Sequence, residues 1–375
     1  MLVKNYNIGR RDCVLTSNGK ENLLIDCGVT KQSSVISEID ADLFNKESSL
    51  LITHFHDDHI GGLRFISSNS IEHIYMSKFV LCVFKEENIS ILIKLLKFMA
   101  YSTKRSDTRT MIQNIFSVFK IISNALSLTG NIHFVNRGDK IYMVSDFHVL
   151  HPDVECSSFL DIVHNEMLDK FIQDTESYMN DQVKAQLDGI IGTFISQHMD
   201  MRGMLKQVFD HTDSLEISRE NLHQGLIDYH NEKLMKIIEF ADKNIGLWIN
   251  NHNLFTEFSN QMNEKSVIIQ NENSLFTGDA TISVINALER SKYFDGMVYK
   301  LIKTPHHGAK NFYADKLPDA DIYISCSNSQ SLDINNGNTY LLKRPKVYHV
   351  FSDGSTFHFS SIKLNNVKTH VQFNI

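Results

Sequence analysis

The 375-residue chain has no run of eighteen uncharged apolar residues, and its opening Met1-Leu2-Val3-Lys4-Asn5-Tyr6-Asn7 has no charged-then-apolar leader pattern. Neither a membrane-spanning helix nor a secretory signal is expected, so the expected location is cytoplasmic, with no membrane partner. Cysteine is sparse: Cys13, Cys27, Cys82, Cys156 and Cys326 form no Cys-x-x-Cys pair, which signals neither a disulfide framework nor a thiolate zinc site. Positive charge is in deficit as well, the formal net charge being −7. A polyanion would have to be held by a local basic patch rather than by the field of the whole molecule. Internal repeats and low-complexity linkers are absent. With 42% hydrophobic residues the chain can nevertheless bury a substantial core.

What is present is concentrated at residues 50–63, Leu-Leu-Ile-Thr-His-Phe-His-Asp-Asp-His-Ile-Gly-Gly-Leu. His54, His56, Asp58 and His59 place four metal donors directly behind an apolar, strand-like run. In extended chain alternate residues point the same way, so His54 and His56 can face one ion while the bend at 57–59 turns Asp58 and His59 toward a second. So many imidazoles and carboxylates beside a buried strand are costly unless something neutralises them. Imidazole with carboxylate favours zinc, one or two ions, with manganese or iron as the alternatives.

This stretch resembles the His-x-His-x-Asp-His signature of the metallo-β-lactamase superfamily, and further blocks are similar in the same order. Leu23-Leu24-Ile25-Asp26-Cys27-Gly28 looks like the strand whose aspartate supports the metal site from behind. Ser274-Leu275-Phe276-Thr277-Gly278-Asp279-Ala280 looks like the strand carrying a bridging aspartate, and Leu301-Ile302-Lys303-Thr304-Pro305-His306-His307-Gly308 like the one carrying the last histidine. The spelling is closest to the soluble domain of ComEC-type DNA-uptake proteins, including a closing hairpin around Ser355. The resemblance implies an α/β fold, an αββα metallo-β-lactamase sandwich made of residues 1–155 and 245–375, with metal ligands His54, His56, Asp58, His59, Asp279 and His307. His307 precedes the glycine and is preferred to His306 as the last ligand. His306 is then either a support behind the ligands or a proton donor to the leaving group, and Asp58 also orients the nucleophile. One departure stands out: many relatives carry a further histidine in a third block ahead of the bridging aspartate, where this chain has Asn260, Asn263 and Lys265. His148, His151 and His252 are the candidate substitutes.

Two stretches carry apolar residues at helical spacing. Residues 78–129, within the main domain, include Ile89, Ile93 and Leu96, then Ile112, Phe116, Phe119 and Ile122. They hold the most basic part of the chain, with Lys94, Lys97, Lys104, Arg105, Arg109 and Lys120. Residues 156–244 lack the glycine-proline punctuation typical of sheets and read as a helical insertion or cap. Its Met199, Met201 and Met204 suit adaptable packing against a protein partner or a second copy. The expected activity is a metal-dependent hydrolase, a phosphodiesterase or nuclease using a metal-bound hydroxide on a nucleotide or nucleic acid. An amide, lactone or thioester hydrolase and a partner-binding protein are the alternatives on the same scaffold.

Overall fold

The computed structural model describes residues 1–29, 33–66, 70–79, 86–102, 107–116, 131–141, 146–153, 166–209, 224–245, 260–327, 340, 348–351, 356–357, 365–367 and 370–375. His252, Lys104, Arg105, Phe119, Lys120, Ile122 and Ser355 lie outside these residues. Sixteen strands and eight α-helices are described, in an α/β arrangement with two mixed sheets. The helices are α1 (Ser33–Leu43), α2 (Asp57–Ile60), α3 (Ile89–Tyr101), α4 (Asp107–Phe116), α5 (Glu166–Ser177), α6 (Asp181–Phe209), α7 (Gln224–Asn244) and α8 (Ile282–Arg290).

The first sheet contains β1 (Leu2–Tyr6), β2 (Val14–Ser17), β3 (Glu21–Ile25), β4 (Glu47–Ile52), β5 (His73–Ser77) and β6 (Asn131–Val135). The second contains β7 (Lys140–Ile141), β8 (Phe147–His151), β9 (Ile268–Gln270), β10 (Ser274–Phe276), β11 (Tyr299–Lys303), β12 (Ala320–Ser325), β13 (Tyr348–Phe351) and β14 (Thr356–Phe357). The chain then returns to the first sheet with β15 (Asn365–Val367) and β16 (His370–Asn374), giving the orders β15-β16-β1-β2-β3-β4-β5-β6 and β14-β13-β12-β11-β10-β9-β8-β7. The β2–β3 hairpin turns at Asn18-Gly19. Gly19 takes φ 96°, and the Asn18 side chain accepts from the backbone N–H of Lys20 and Glu21.

Each sheet has a parallel centre: β3, β4 and β5 in the first, and β10 to β13 in the second. Their residues are buried almost throughout, as strands covered on both faces must be. Leu23, Ile25 and Leu51 of the first sheet share one buried cluster with Phe147, Ile269, Phe276, Leu301 and Ile324 of the second, so the sheets face each other across a common core. On the outer side of the second sheet, α8 packs Val284, Ile285 and Leu288 with Leu275, Ile302 and Tyr323. On the first, α1 buries Val35, Ile39 and Leu43, and its Asp42 accepts hydrogen bonds from Lys4 and Tyr6. The decisive consequence is positional. Asp26, the 53–59 segment, Asp279 and the 304–308 segment all follow the carboxyl ends of parallel strands, where open α/β sheets present their sites.

The chain divides into two compact units, Met1–Ser77 with Ile132–Asp153 and Met262–Ile375, and Lys78–Asn131 with Val154–Gln261. The sequence reading joins 78–129 to the first of these; here that segment groups with the second, because α3 packs on α5, α6 and α7. An amphipathic pattern says that a face is buried but not against what. Inside the second unit Phe98 meets Phe171 edge-on at 5.2 Å, and Phe116 meets Phe194 at 5.5 Å. The described cations of the basic stretch pair internally: Lys94 with Asp169, Lys97 with Glu176 and Asp188, and Arg109 with Asp242. They form no free phosphate track. No described helix is long and apolar enough to cross a membrane.

Candidate metal centre

Just past β3, Asp26 adopts φ 58° with its carboxylate buried. That carboxylate accepts the Thr53 backbone N–H at 2.8 Å, the Thr53 hydroxyl at 2.7 Å and the Nδ1–H of His59 at 2.7 Å. With its Nδ1–H held there, His59 turns Nε2 the other way, and Nε2 is the nitrogen that can offer a lone pair once it gives up its proton. Beyond β4 the chain stays extended to His56 (φ −72°, ψ 147°), and α2 then bends it so that Asp58 and His59 follow. This bend presses against the segment after β3. A Cβ on Gly28 would stand 1.7 Å from the Asp58 carbonyl oxygen, so only glycine fits there. Backbone bonds from Asp12 N to Asp58 O (3.0 Å), Cys27 N to His59 O (2.7 Å) and Gly62 N to Cys27 O (2.6 Å) fix the loops to one another.

From the second sheet, β10 delivers Asp279 through Gly278, whose φ is 51°, and the Asp279 N–H donates to Ser266 Oγ at 3.2 Å. β11 delivers Pro305-His306-His307-Gly308, in which both histidines hold positive φ (43° and 56°). Two consecutive non-glycine residues in that region carry strain, which clusters at functional sites. Asp279 Oδ2 lies 3.4 Å from His59 Nε2, 3.6 Å from His307 Nε2 and 3.8 Å from His54 Nε2. His54 Nε2 is 3.0 Å from His56 Nδ1, and His307 Nε2 is 2.9 Å from Asp58 Oδ2.

Two donor groups result, sharing Asp279: His54, His56 and Asp279, and Asp12, His59, Asp279 and His307. In the second group Asp12 is already engaged, one oxygen by His307 Nδ1 at 2.9 Å and the other by the Lys303 ammonium. Asp58, against His307 Nε2, is the freer donor. Five of the six sequence-chosen ligands fall in these two groups; Asp58 lies outside both, its Oδ2 2.9 Å from His307 Nε2 and 4.0 Å from His59 Nε2, and His306 stands beside them. The His306 ring stacks on Phe312 at 3.9 Å, its Nδ1 lies 3.0 Å from Asn263 Nδ2 and 3.6 Å from Asp279 Oδ2, and 27% of the side chain is exposed. Asn263 is buried here. Of the candidate substitutes, His151 donates from Nε2 to the Glu264 carbonyl at 2.6 Å, and His148 lines a separate cavity with Gln270, Asn273 and Ile375.

Sequence reasoning missed Asp12, Thr53 and the role of Lys303. Asp12 stands alone in Arg11-Asp12-Cys13, with no donor spacing to mark it. Lys303 had a signal: it alternates with Tyr299 and Leu301 on a strand whose register makes that face core.

The electrostatics fit a divalent cation. Burial pushes His54 well down and His56 to about 4, leaving both neutral and able to donate lone pairs. Burial works against the charge on His307 too, but Asp279 and Asp12 outweigh it and raise the group to about 10. Asp58 falls below the carboxylate range against its own burial, through His59 and His307. His59 Nε2 and Asp279 Oδ2 are buried and have no hydrogen-bond partner. Such atoms are rare unless something else satisfies them, and an ion between them would satisfy both. Nitrogen and carboxylate donors are the set that transition dications take.

A family described as Anti-Pycsar protein Apyc1 matches the chain over residues 3–255, more than half of its length. No curated protein matches it. The family match spans Asp12, Asp26 and the 53–59 segment and ends ahead of Asp279, His306 and His307. Its description is not that of the ComEC-type domain whose spelling the blocks resemble.

Proposed function

The chain belongs to the Anti-Pycsar protein Apyc1 family, and from that premise we propose that it is a metal-dependent phosphodiesterase on an αββα metallo-β-lactamase sandwich. The family points to cyclic nucleotides as the substrate class. The observation that carries the reading is the meeting of His54, His56, Asp58, His59, Asp279 and His307 at the carboxyl ends of parallel strands from two facing sheets. His54, His56 and Asp279 would hold one ion, and Asp58, His59, His307 and Asp279 a second, zinc being the first choice and manganese the next. Bound there, divalent ions supply a water acidified toward neutral pH and a Lewis acid for the phosphoryl oxygen.

The chain's own residues do the remaining work. Asp26 and Asp12 each hold a histidine by Nδ1, so that the Nε2 atoms of His59 and His307 face the centre. Asp58 orients the attacking water. With Asn263 donating to Nδ1, His306 carries its proton on Nε2, and this partly exposed ring is the group placed to protonate the departing sugar oxygen. A small substrate is favoured over a polynucleotide, because Lys94, Lys97 and Arg109 are spent on internal ion pairs.

The test is turnover of cyclic nucleotides, single- and double-stranded DNA and RNA by zinc- or manganese-loaded protein, wild type beside Asp58→Ala and His307→Ala. Cyclic nucleotides should be opened, with little loss in rate between low and moderate salt, since few phosphate-binding cations are involved. Asp58→Ala should lower kcat by a factor on the order of 10². No turnover of any cyclic nucleotide, or turnover that neither substitution reduces, refutes the reading.

A further inference from the structure

Lys303, the last residue of β11, is 3% exposed, and its ammonium lies among the carboxylates of the centre. Nζ donates to the Gly278 carbonyl at 2.7 Å, lies 3.4 Å from Asp279 Oδ1 and pairs closely with Asp12 Oδ2. Three separate segments therefore meet on one cation: the Asp12 loop, the turn after β10 and β11 itself. A buried ammonium is costly and persists only where anions repay it. Burial here opposes the charge, but Asp12 and Asp279 hold it in place.

The contact divides the oxygens of Asp279 between two tasks. Oδ1 faces Lys303, while Oδ2 has no hydrogen bond and faces His54, His59 and His307. Four buried or half-buried carboxylates, Asp12, Asp26, Asp58 and Asp279, crowd this region, and Lys303 is the fixed cation in contact with two of them.

We propose that Lys303 is a built-in counter-ion of the centre: it stands in for metal charge in the metal-free protein and opposes metal charge in the loaded one. The inference rests on the metal-centre reading and not on the substrate. Its sign follows from the charges. The ammonium repels a dication a few ångströms away and occupies an oxygen of Asp12 and of Asp279; without it both carboxylates keep their full charge for the dication. Removing the ammonium should therefore destabilise the metal-free chain and strengthen its hold on a dication. A lysine that merely fills space would instead cost both forms equally.

The experiment is thermal unfolding of wild type and Lys303→Met, each with a chelator and with excess zinc. The variant should unfold about 5 °C or more below wild type when metal-free, and zinc should raise its midpoint further than it raises that of wild type. Equal losses in both forms, or none in the metal-free form, overturn the role of Lys303 while leaving the metal centre standing. A wild type that zinc does not shift overturns the metal centre, and this proposal with it. If Lys303→Met does not fold, the double variant Asp12→Asn with Lys303→Met decides. Removing one anion with the cation should restore a folded chain, and failure to restore it counts against the counter-ion.

Discussion

Asp26→Asn is the sharpest probe of how the first sheet prepares His59. The carboxylate is 1% exposed and receives Thr53 N at 2.8 Å, Thr53 Oγ1 at 2.7 Å and His59 Nδ1 at 2.7 Å. An asparagine of the same shape keeps Oδ1 for Thr53 N but turns an NH₂ toward the other two. The threonine hydroxyl can rotate and accept. His59 Nδ1 can accept only if its proton moves to Nε2, the atom that lies 3.4 Å from Asp279 Oδ2. The centre then loses a donor by a change of tautomer, with no change of fold. Losing a charge-assisted hydrogen bond is worth about 1.5–3 kcal/mol, which converts to a zinc affinity lower by roughly 10–100-fold, the range found for partners behind metal-binding histidines. Competition with a chromophoric chelator measures it, with far-UV circular dichroism as the control for folding. Asp26→Ala should behave differently. It strands three buried donors and places alanine at φ 58°, so unfolding stability should fall by about 4 kcal/mol or more. Wild-type zinc affinity in Asp26→Asn would refute the claim that this carboxylate sets the tautomer.

Gly28→Ala would place its Cβ 1.7 Å from the Asp58 carbonyl oxygen; the loop must move, and zinc binding should weaken about tenfold or more while β3 and β4 stay paired, as hydrogen exchange of their amides would show. Stability should depend on pH through His151, which burial holds at about 4 when folded, against 6.5 unfolded, despite its bond to Glu264. Between those values the unfolded chain binds the extra proton, so stability falls as pH drops from about 6.5 to 4, by up to about 3 kcal/mol. In denaturant unfolding across that window, His151→Gln should show a shallower fall than wild type, and parallel profiles would contradict the assignment.

The parts of this candidate centre that could be read from the chain are those in which chemistry and chain direction coincide. His54, His56, Asp58 and His59 sit on one segment behind β4, and Asp279 and His307 each follow an apolar strand with glycine nearby, so local pattern and donor type agree. Asp12 could not be read this way. Its place beside His307 comes from the pairing of β1, β2 and β3 and from two sheets facing each other, a relation between residues 295 positions apart. The grouping of 78–131 with 154–261 was hidden for a similar reason, since helical spacing names the buried face and not its partner. Lys303 falls between these cases. Period-two alternation puts it on the face of Leu301, which lies in the core between the sheets. A lysine on such a face demands a buried anion, and the only described carboxylates its ammonium pairs with are Asp12 and Asp279. The rule that reads apolar alternation as core therefore also reads its violation. A charged residue breaking the core face at the carboxyl end of a parallel strand marks where the opposite charges of a site must lie, even when the residues that bear them carry no motif.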